Sequence, residues 1–218
     1  FYANASNFNE KGYKRVQPLF VPKLLTNMAA GNISIRYGLR GVNHSVSSAC
    51  ATGLNSIGDA FNFIKNGYSN VMVAGGTEAS IHPLALAGFA RAKSVVVDSN
   101  DDPKKASRPF DGSRNGFVLS EGSGIVIVES LDHALARGLG EKDIYAEIVG
   151  YGLSGDAHHI TAPTEDGDGA RRAMQMAVER AGIKPSDVNH INAQATSTVI
   201  GDRAENKAMY DLFSESNK

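Results

Sequence analysis

Cys50 is the side chain in this sequence best suited to chemistry, because it is the single cysteine among 218 residues and joins two predicted elements. Small residues surround it at positions 47–53, where a predicted strand passes into a helix that begins near Gly53. The first N–H groups of a helix favour negative charge by about 0.3–1 kcal/mol, which favours the nucleophilic thiolate. The same groups can hold an oxyanion. A buried structural thiol is the alternative for a lone cysteine. The small neighbours leave room for a bulky acyl group and favour the nucleophile.

The elements predicted around Cys50 form a strand–turn–helix–strand unit. Apolar and polar residues alternate over residues 42–46, the pattern of a strand with one buried face. Apolar residues then recur at helical spacing over residues 54–64, and Asn66-Gly67 supplies a stop. The apolar run at residues 71–74 predicts a buried strand that ends at Gly75-Gly76. This unit would place the thiol at the start of its helix.

Predicted strands and helices alternate along the rest of the chain, which is typical of an α/β protein. Residues 97–116 are polar and rich in turn signals, and interrupt this alternation. The further predicted strands are residues 116–119, 125–129, 145–151 and 188–193, and the further predicted helices are residues 24–35, 131–138, 168–181 and 202–213.

Composition excludes several classes of function. The net charge of −1 gives no overall attraction to nucleic acid or to a membrane surface. No apolar run reaches the roughly 20 residues of a membrane-spanning helix, and the first residues show no secretory signal. A single cysteine excludes an intramolecular disulfide. The chain starts without methionine and stops just after a helical pattern, so we expect it to be part of a longer protein.

The sequence supports neither a phosphate-binding site nor a metal site. Gly75-Gly76 ends a predicted strand, but no glycine-rich turn leads from it into a helix, and Gly122-Ser123-Gly124 leads into a strand. Both arrangements are wrong for phosphate binding at a helix N-terminus. His158-His159 lies near Asp156, but adjacent histidines diverge and no third ligand has zinc-site spacing, so we expect no metal site.

Four segments, taken in chain order, resemble the β-ketoacyl-[acyl-carrier-protein] synthases, the elongating condensing enzymes of type II fatty-acid synthesis. They are residues 46–53, 71–78, 108–122 (beginning Arg108-Pro109-Phe110-Asp111) and 192–198 (ending Thr196-Ser197-Thr198). Residues 152–157 and 202–207 are most similar to the mitochondrial branch. The resemblance implies the thiolase fold, an α/β architecture with layered αβαβα packing, of which this chain would hold a part. Residues 1–142 would be the latter part of its N-terminal half, with the nucleophile, and residues 143–218 the start of its C-terminal half.

The resemblance implies an acyltransferase reaction, the decarboxylative Claisen condensation of malonyl-carrier protein with an acyl chain held on Cys50. It also implies contact residues by position. The threonines would hydrogen-bond the pantetheine arm, the phenylalanines would line the acyl pocket, and the basic residues would meet the acidic carrier protein. These positions are Thr196 and Thr198, Phe89 and Phe117, and Lys14, Arg15 and Lys93.

The resemblance further implies the partners. The acyl-carrier protein would deliver acyl and malonyl thioesters on its own phosphopantetheine, so the enzyme needs no cofactor of its own. The apolar residues 70–74 would pair with their twin across the axis of a homodimer. The mitochondrion is the implied location, with a bacterial or other cytoplasmic location as the alternative.

Gln194 is the main departure from the family pattern, which has histidine there to hydrogen-bond the malonyl thioester carbonyl during decarboxylation. A glutamine amide can also donate, but it is never cationic. The family's second active-site histidine and its lysine fall beyond Lys218, so the chain as given is catalytically incomplete. Three functions stay open: a condensing enzyme, a catalytically impaired ketosynthase-like partner subunit, and a degradative thiolase. Cys50 argues against the partner subunit, whereas Gln194 argues in favour of it. The Thr196-Ser197-Thr198 motif argues against the thiolase.

Overall fold

Helices and one pair of strands carry the fold of residues 1–214, the part of the chain that the computed structural model describes. The helices are α1 (Tyr2–Lys11), α2 (Phe20–Leu24), α3 (Met28–Tyr37), α4 (Thr52–Lys65), α5 (Pro83–Arg91), α6 (Leu131–Ala136), α7 (Asp168–Ala181) and α8 (Val199–Phe213). The strands are β1 (Val71–Glu78) and β2 (Gly122–Glu129). Short 3₁₀ turns include Tyr13–Arg15, Ala49–Ala51 and Pro103–Lys105.

The chain divides into two compact units, each built from two stretches of sequence. The first unit comprises Phe1–Thr77 and Ser123–Gly140, and the second comprises Glu78–Gly122 and the described residues from Glu141 onward. The predicted division at residues 142/143 concerns the two halves of the family fold and stays a prediction.

In the first unit, β1 and β2 form a two-stranded antiparallel sheet. The N–H of Ser130 donates to the carbonyl of Asn70 (2.9 Å), while Gly75 lies against the backbone of Gly124, so residue numbers rise along one strand as they fall along the other. Small side chains of this sheet and of the neighbouring helices are buried. Ala60 of α4, Ala74 of β1 and Ala134 of α6 are each at most 5% exposed.

Gly75-Gly76 does not end β1, contrary to the prediction; the strand continues to Glu78. A Cβ at Gly75 would collide with the carbonyl oxygen of Gly124 on β2, and Gly75 has a φ of +150° that side-chain-bearing residues rarely adopt. The glycine therefore marks a close approach of two backbones inside a strand, a common position for glycine in sheets.

The strand predicted at residues 42–46 is not formed. This segment instead lines a cavity of about 500 Å³ whose other walls come from α3, α4 and β1. A strand requires hydrogen bonds to a neighbouring strand, and alternation of apolar and polar residues does not supply that partner.

The helix predictions were more successful than the strand predictions. The helix predicted from near Gly53 is α4, with Asn66 as its C-cap, and the helix predicted at 168–181 is α7, with Gly182 as its C-cap; both are confirmed. The helix predicted at residues 24–35 corresponds to α3, which begins only at Met28, because Leu25 after α2 is extended (ψ 123°). α8 begins at Val199, three residues before the predicted start.

In the second unit, α7 and α8 pack against each other. Tyr151, Val178, Ala204 and Ala208 are buried there. The strands predicted at residues 116–119, 145–151 and 188–193 are not formed, and Phe117 makes a single parallel bridge with Val95. The chain around Tyr151 packs on α7, where Arg180 donates to the Tyr151 carbonyl (3.4 Å). Contact with a helix thus replaces a sheet partner at this segment.

None of the helices within residues 1–214 is both long enough and apolar enough to cross a bilayer.

Glu129, at the end of β2, carries a pH-dependent part of the stability of the first unit. Arg137 donates to both of its carboxylate oxygens (2.7 Å each) and His133 Nδ1 lies 2.5 Å from Oε1. These hydrogen bonds, that from Arg137 foremost, lower the pKa of Glu129 from 4.5 to about 2. A carboxylate whose pKa is lower in the folded state stabilises above its unfolded pKa, and this contribution is lost as pH falls from 4.5 to about 2.

We therefore expect Glu129→Gln to lower the free energy of unfolding at neutral pH, and this deficit to shrink at about pH 3. Urea unfolding of both proteins at the two pH values measures it, with exposed Glu141→Gln as the control. An equal deficit at both pH values would contradict the assignment.

Candidate active site

Cys50 lies in the 3₁₀ turn Ala49–Ala51, which leads without a break into α4 at Thr52. Cys50 is exposed in this part of the chain. Ala49 has a φ of +51°, a left-handed conformation that is unfavourable for a residue with a Cβ and marks a sharp turn before the cysteine. The turn thus presents Cys50 at the N-terminal, partially positive end of a 14-residue helix.

Ser48 ties this turn to the first two turns of α4. Its N–H donates to Oγ1 of Thr52 (2.9 Å), and its hydroxyl donates to Oδ1 of Asn55 (2.6 Å). Both bonds join residues flanking Cys50, so they fix the path of the backbone on either side of the thiol.

The start of α4 is also fixed against β1 through small residues. A Cβ at Gly76 would lie 3.1 Å from the Cα of Gly53, and the Gly75 N–H donates to Oγ of Ser56 (3.3 Å). A side chain at Gly76 would press on the backbone of α4 and push the helix away from the strand. The small residues around Cys50 therefore have a packing role, in addition to the access for an acyl group predicted from the sequence.

In the second unit, residues 194–198 form a segment that we call the threonine loop, because it ends in Thr196-Ser197-Thr198 and leads into α8. Oγ1 of Thr198 accepts from the N–H of Gly201 (3.2 Å) and so caps α8. Oγ1 of Thr196 lies 2.9 Å from Oγ1 of Thr198. Both threonines are partly buried, and their hydroxyls can donate to and accept from amide groups.

Gln194, at the start of the threonine loop, is exposed, and its backbone is held by α8. The N–H groups of Gln194 and Ala195 donate to the two carboxylate oxygens of Glu205 (2.6 and 2.9 Å). Glu205 therefore fixes where the Gln194 side chain starts. The side-chain amide offers two N–H donors and one carbonyl acceptor.

Asp202 joins the threonine loop to the Arg108-Pro109-Phe110 segment. It is 1% exposed, and its carboxylate accepts from the N–H groups of Ser197 (3.0 Å) and Phe110 (2.7 Å). Ser197 is itself fully buried, and its Oγ accepts from the Arg108 N–H (3.0 Å). These contacts bring two of the motifs singled out in the sequence into direct contact.

Asp111 is the last residue of the Arg108-Pro109-Phe110-Asp111 motif. Hydrogen bonds from the hydroxyl and N–H of Ser113 hold its pKa below the usual value, and the charges of Arg108 and Arg114 act in the same direction. Asp111 is thus a carboxylate that braces its own turn.

Phe89 of α5 and Phe117 meet edge to face, with ring centroids 5.2 Å apart and an interplanar angle of 78°. The structure therefore brings together the two residues predicted to line an acyl pocket. Phe89 is 41% exposed, so the pair presents apolar surface.

The predicted carrier-protein contacts are all exposed, as such contacts must be. Lys14 and Arg15 are neighbours on the 3₁₀ turn Tyr13–Arg15 of the first unit. Lys93 follows α5 in the second unit, with a φ of +56°.

Within residues 1–214, no three histidine, cysteine, aspartate or glutamate side chains are placed to hold a metal ion.

Three residues that hold the threonine loop are not among the predicted site residues: Glu205, Asp202 and Arg114. A signal existed: an acidic residue in the first turn of a helix favours the helix N-terminus. Asp202 is such a residue, but the predicted start of α8 at Asp202 left the true N-cap, Thr198, outside the helix. Arg114 carried no local signal for this role, since its partners Thr198 and Val199 lie 84 and 85 residues away.

A family profile described as "Beta-ketoacyl synthase, N-terminal domain" matches residues 1–134 of this chain. The profile of the corresponding C-terminal domain matches residues 145–218. The chain belongs to the β-ketoacyl synthase family.

Relatives come from bacteria and from mitochondria. The chain is 55% identical, over 95% of its length and 48% of the relative's, to 3-oxoacyl-[acyl-carrier-protein] synthase 2 of Rhizobium meliloti. It is 52% identical to the mitochondrial 3-oxoacyl-[acyl-carrier-protein] synthase of Arabidopsis thaliana, over 94% of this chain and 44% of the relative. The chain thus spans about half the length of the curated relatives that it matches.

A solved structure of the family also matches. It is a chain of a complex between a type II polyketide ketosynthase and its acyl-carrier protein, with a TM-score of 0.89 and 33% identity, over 94% of this chain and 50% of that one. This β-ketoacyl synthase chain therefore has the predicted α/β thiolase fold, as part of the full domain.

Proposed function

We propose that this chain belongs to a β-ketoacyl-[acyl-carrier-protein] synthase that elongates fatty acids by decarboxylative condensation. The observation that carries the proposal is the exposed Cys50 on a braced turn at the N-terminus of α4. The names of the relatives, 3-oxoacyl-[acyl-carrier-protein] synthases, support the same reaction.

The proposed reaction has two stages. In the first, the Cys50 thiolate attacks the acyl thioester on the carrier protein, an acyl–sulfur bond forms, and the carrier thiol leaves. In the second, a malonyl thioester loses CO₂, and the carbanion so formed attacks the acyl-cysteine and expels the Cys50 thiolate. The backbone N–H groups at the start of α4 can stabilise the oxyanion of each attack.

The other site residues have proposed roles in binding substrate. Thr196 and Thr198 hydrogen-bond the pantetheine arm, and Phe89 and Phe117 line the acyl pocket with their exposed apolar surface. Gln194 occupies the position of the donor to the malonyl carbonyl. The phosphopantetheine belongs to the carrier protein, so no resident cofactor and no metal enter the proposal.

The proposal is tested with the full-length protein, acyl-carrier protein and isotope-labelled malonyl-carrier protein. Formation of 3-oxoacyl-carrier protein together with labelled CO₂ is the expected result. CO₂ release without condensation, or neither product, would overturn it.

A second function, that of a catalytically impaired partner subunit, is favoured by Gln194 and opposed by Cys50. The same assay separates the two, because a partner subunit would form no acyl-enzyme alone and would stimulate a second ketosynthase. A degradative thiolase would instead accept coenzyme A thioesters without carrier protein.

The proposed partner is an acyl-carrier protein, the molecule bound in the solved structure that this chain resembles. Reversing Lys14 and Arg15 to glutamate should slow association with an acidic carrier protein about tenfold at low salt, and flatten its salt dependence. Stopped-flow binding at several ionic strengths measures this.

Lys104 and Lys105 offer a matched control, because they are also two adjacent, exposed cations on a 3₁₀ turn. Their reversal changes the net charge equally and should have a smaller effect. Equal effects from both pairs would mean that only overall charge matters.

The protein is also proposed to form a homodimer through residues 70–74 of β1. An apolar strand edge left open would promote aggregation, which soluble proteins avoid by covering such edges. Analytical ultracentrifugation of the full-length protein at micromolar concentration should give a dimeric mass; a monomeric mass would contradict this proposal.

The mitochondrion is the proposed location, because the Arabidopsis relative is a mitochondrial enzyme; the Rhizobium relative keeps a bacterial origin as the alternative.

A further inference from the structure

We infer that Arg114 is a positioning residue for the threonine loop: its guanidinium fixes the place where the two threonine hydroxyls receive the pantetheine arm. The inference rests on the proposed function, since that arm is the proposed ligand of the threonines. Arg114 and the threonine loop both lie in the second unit.

The Arg114 guanidinium, on a side chain only 14% exposed, donates in three directions. Nε donates to the carbonyl of Thr198 (3.1 Å), Nη2 to that of Val199 (2.7 Å), and Nη1 to that of Asp111 (2.9 Å). Nε also lies 3.3 Å from the Asp202 carboxylate. Arg114 therefore holds the point at which the threonine loop becomes α8. A lysine, with one ammonium group, could not reach all of these oxygens at once.

The ion pair with Asp202 extends the effect of Arg114 into the loop. Asp202 accepts from the Ser197 N–H, and Ser197 lies between the two threonines with a φ of +67°. This left-handed conformation is disfavoured for a residue with a Cβ, so the loop needs an outside partner to keep it. Without Arg114, Asp202 would be a buried carboxylate that lacks its cation, and we expect the carboxylate and the loop to shift together.

The position of the loop matters because the two hydroxyls act in series. The Gly201 N–H donates to Thr198 Oγ1, and the Thr198 hydroxyl can then donate to Thr196 Oγ1. That order leaves the Thr196 proton free for an amide carbonyl of the arm. Hydrogen bonds weaken steeply beyond their normal length, so a shift of about 1 Å would break this series.

Two thioesters that carry the same acyl group test the inference in the full-length protein. One is an acyl-pantetheine, and the other is an acyl-N-acetylcysteamine, which lacks the outer part of the arm. For Cys50 acylation, Arg114→Gln should lower kcat/KM for the pantetheine thioester about ten- to a hundredfold, mainly through KM, because misplaced groups cost rate steeply. The N-acetylcysteamine thioester should change less than about threefold, since it makes few arm contacts.

Arg172→Gln is the matched control. Arg172 also bonds one carboxylate, that of Asp168 (2.6 Å), and one backbone carbonyl, that of Gly155 (2.9 Å), in the same unit. The Arg172→Gln substitution should leave the preference between the two thioesters unchanged. Arg114→Lys keeps the charge, should fold if the glutamine variant does not, and should lose part of the preference.

An equal loss on both thioesters in the Arg114 variants would mean a purely structural role and would overturn the inference. So would an additive effect of Thr198→Ala and Arg114→Gln, because residues acting through one contact are expected to be non-additive.

Hydrogen exchange of the Ser197 amide needs no activity, so it tests the inference separately from the proposed function. This amide should exchange faster in Arg114→Gln and Arg114→Lys than in wild type or Arg172→Gln. Unchanged exchange would overturn the positioning role. Suppose that the Ser197 amide exchanges faster in the Arg114 variants, but neither thioester acylates the wild-type protein. That result would support the positioning role and contradict the proposed function.

Discussion

Cys50→Ser should abolish formation of the acyl-enzyme in the full-length protein. A serine hydroxyl is a weak nucleophile unless a base activates it, and the turn that presents residue 50 contributes only helix N–H groups and a small side-chain network. We expect the rate of acylation by an acyl-carrier-protein thioester to fall on the order of 10³-fold or more. Intact-protein mass spectrometry after a short incubation measures the acylated fraction.

Ser47→Ala is a suitable control for this experiment, because it changes an exposed residue three positions away and keeps the thiol. It should acylate at nearly the wild-type rate. If Cys50→Ser acylates as readily as wild type, the nucleophile is another residue, and the thiol is structural.

The parts of this fold that depend on nearby residues could be predicted from the sequence. α4 and α7 were found with their ends because apolar spacing and the stops at Asn66 and Gly182 lie within the segment itself. Strands were less predictable, since a ladder needs a partner distant in sequence. Residues 42–46 have the alternation of a strand but face a cavity, and residues 145–151 pack on α7 instead.

The residues of the candidate site also differ in how far they could be predicted from nearby sequence. Cys50 could be proposed from its residue type and local context, and the threonines from the resemblance to the family. The residues that hold them in place could not. Asp202 and Phe110 are 92 positions apart, and nothing in either local pattern predicts that one accepts a hydrogen bond from the other. The glycine pair in β1 was misread for the same reason: the residue that requires Gly75 is Gly124.

The geometry around Gln194 separates the two stages of the proposed reaction. Acyl transfer depends on Cys50 and the N–H groups at the start of α4, and these contacts lie within the first unit. Gln194 belongs to the threonine loop, where Glu205 holds its backbone N–H at 2.6 Å. A change confined to the side chain of residue 194 should therefore leave acylation unchanged and affect condensation.

Gln194→His should speed condensation at least tenfold. Decarboxylation of the malonyl group needs a donor aimed at the thioester oxygen as negative charge builds there, and losing a well-placed donor costs about 2.7–4 kcal/mol, or 10²–10³ in rate. Glutamine still donates, but its amide differs from an imidazole in reach and angle and is never cationic, so it should recover only part of this stabilisation. Glu205 holds the backbone N–H groups of Gln194 and Ala195, which do not depend on the side chain at position 194. The backbone of a histidine at this position should therefore lie where that of Gln194 lies.

The measurement is single-turnover condensation from pre-acylated enzyme, which removes the acylation stage from the observed rate. Gln194→Ala serves as the lower reference, because it has no donor, and Gln194→Asn tests reach with the same amide. The expected order of rates is histidine, glutamine, asparagine and alanine, with acylation rates equal in all four proteins. Equal condensation rates for histidine and glutamine would show that the amide reaches the thioester oxygen as well as an imidazole does. The partner-subunit function would then lose the observation that favours it.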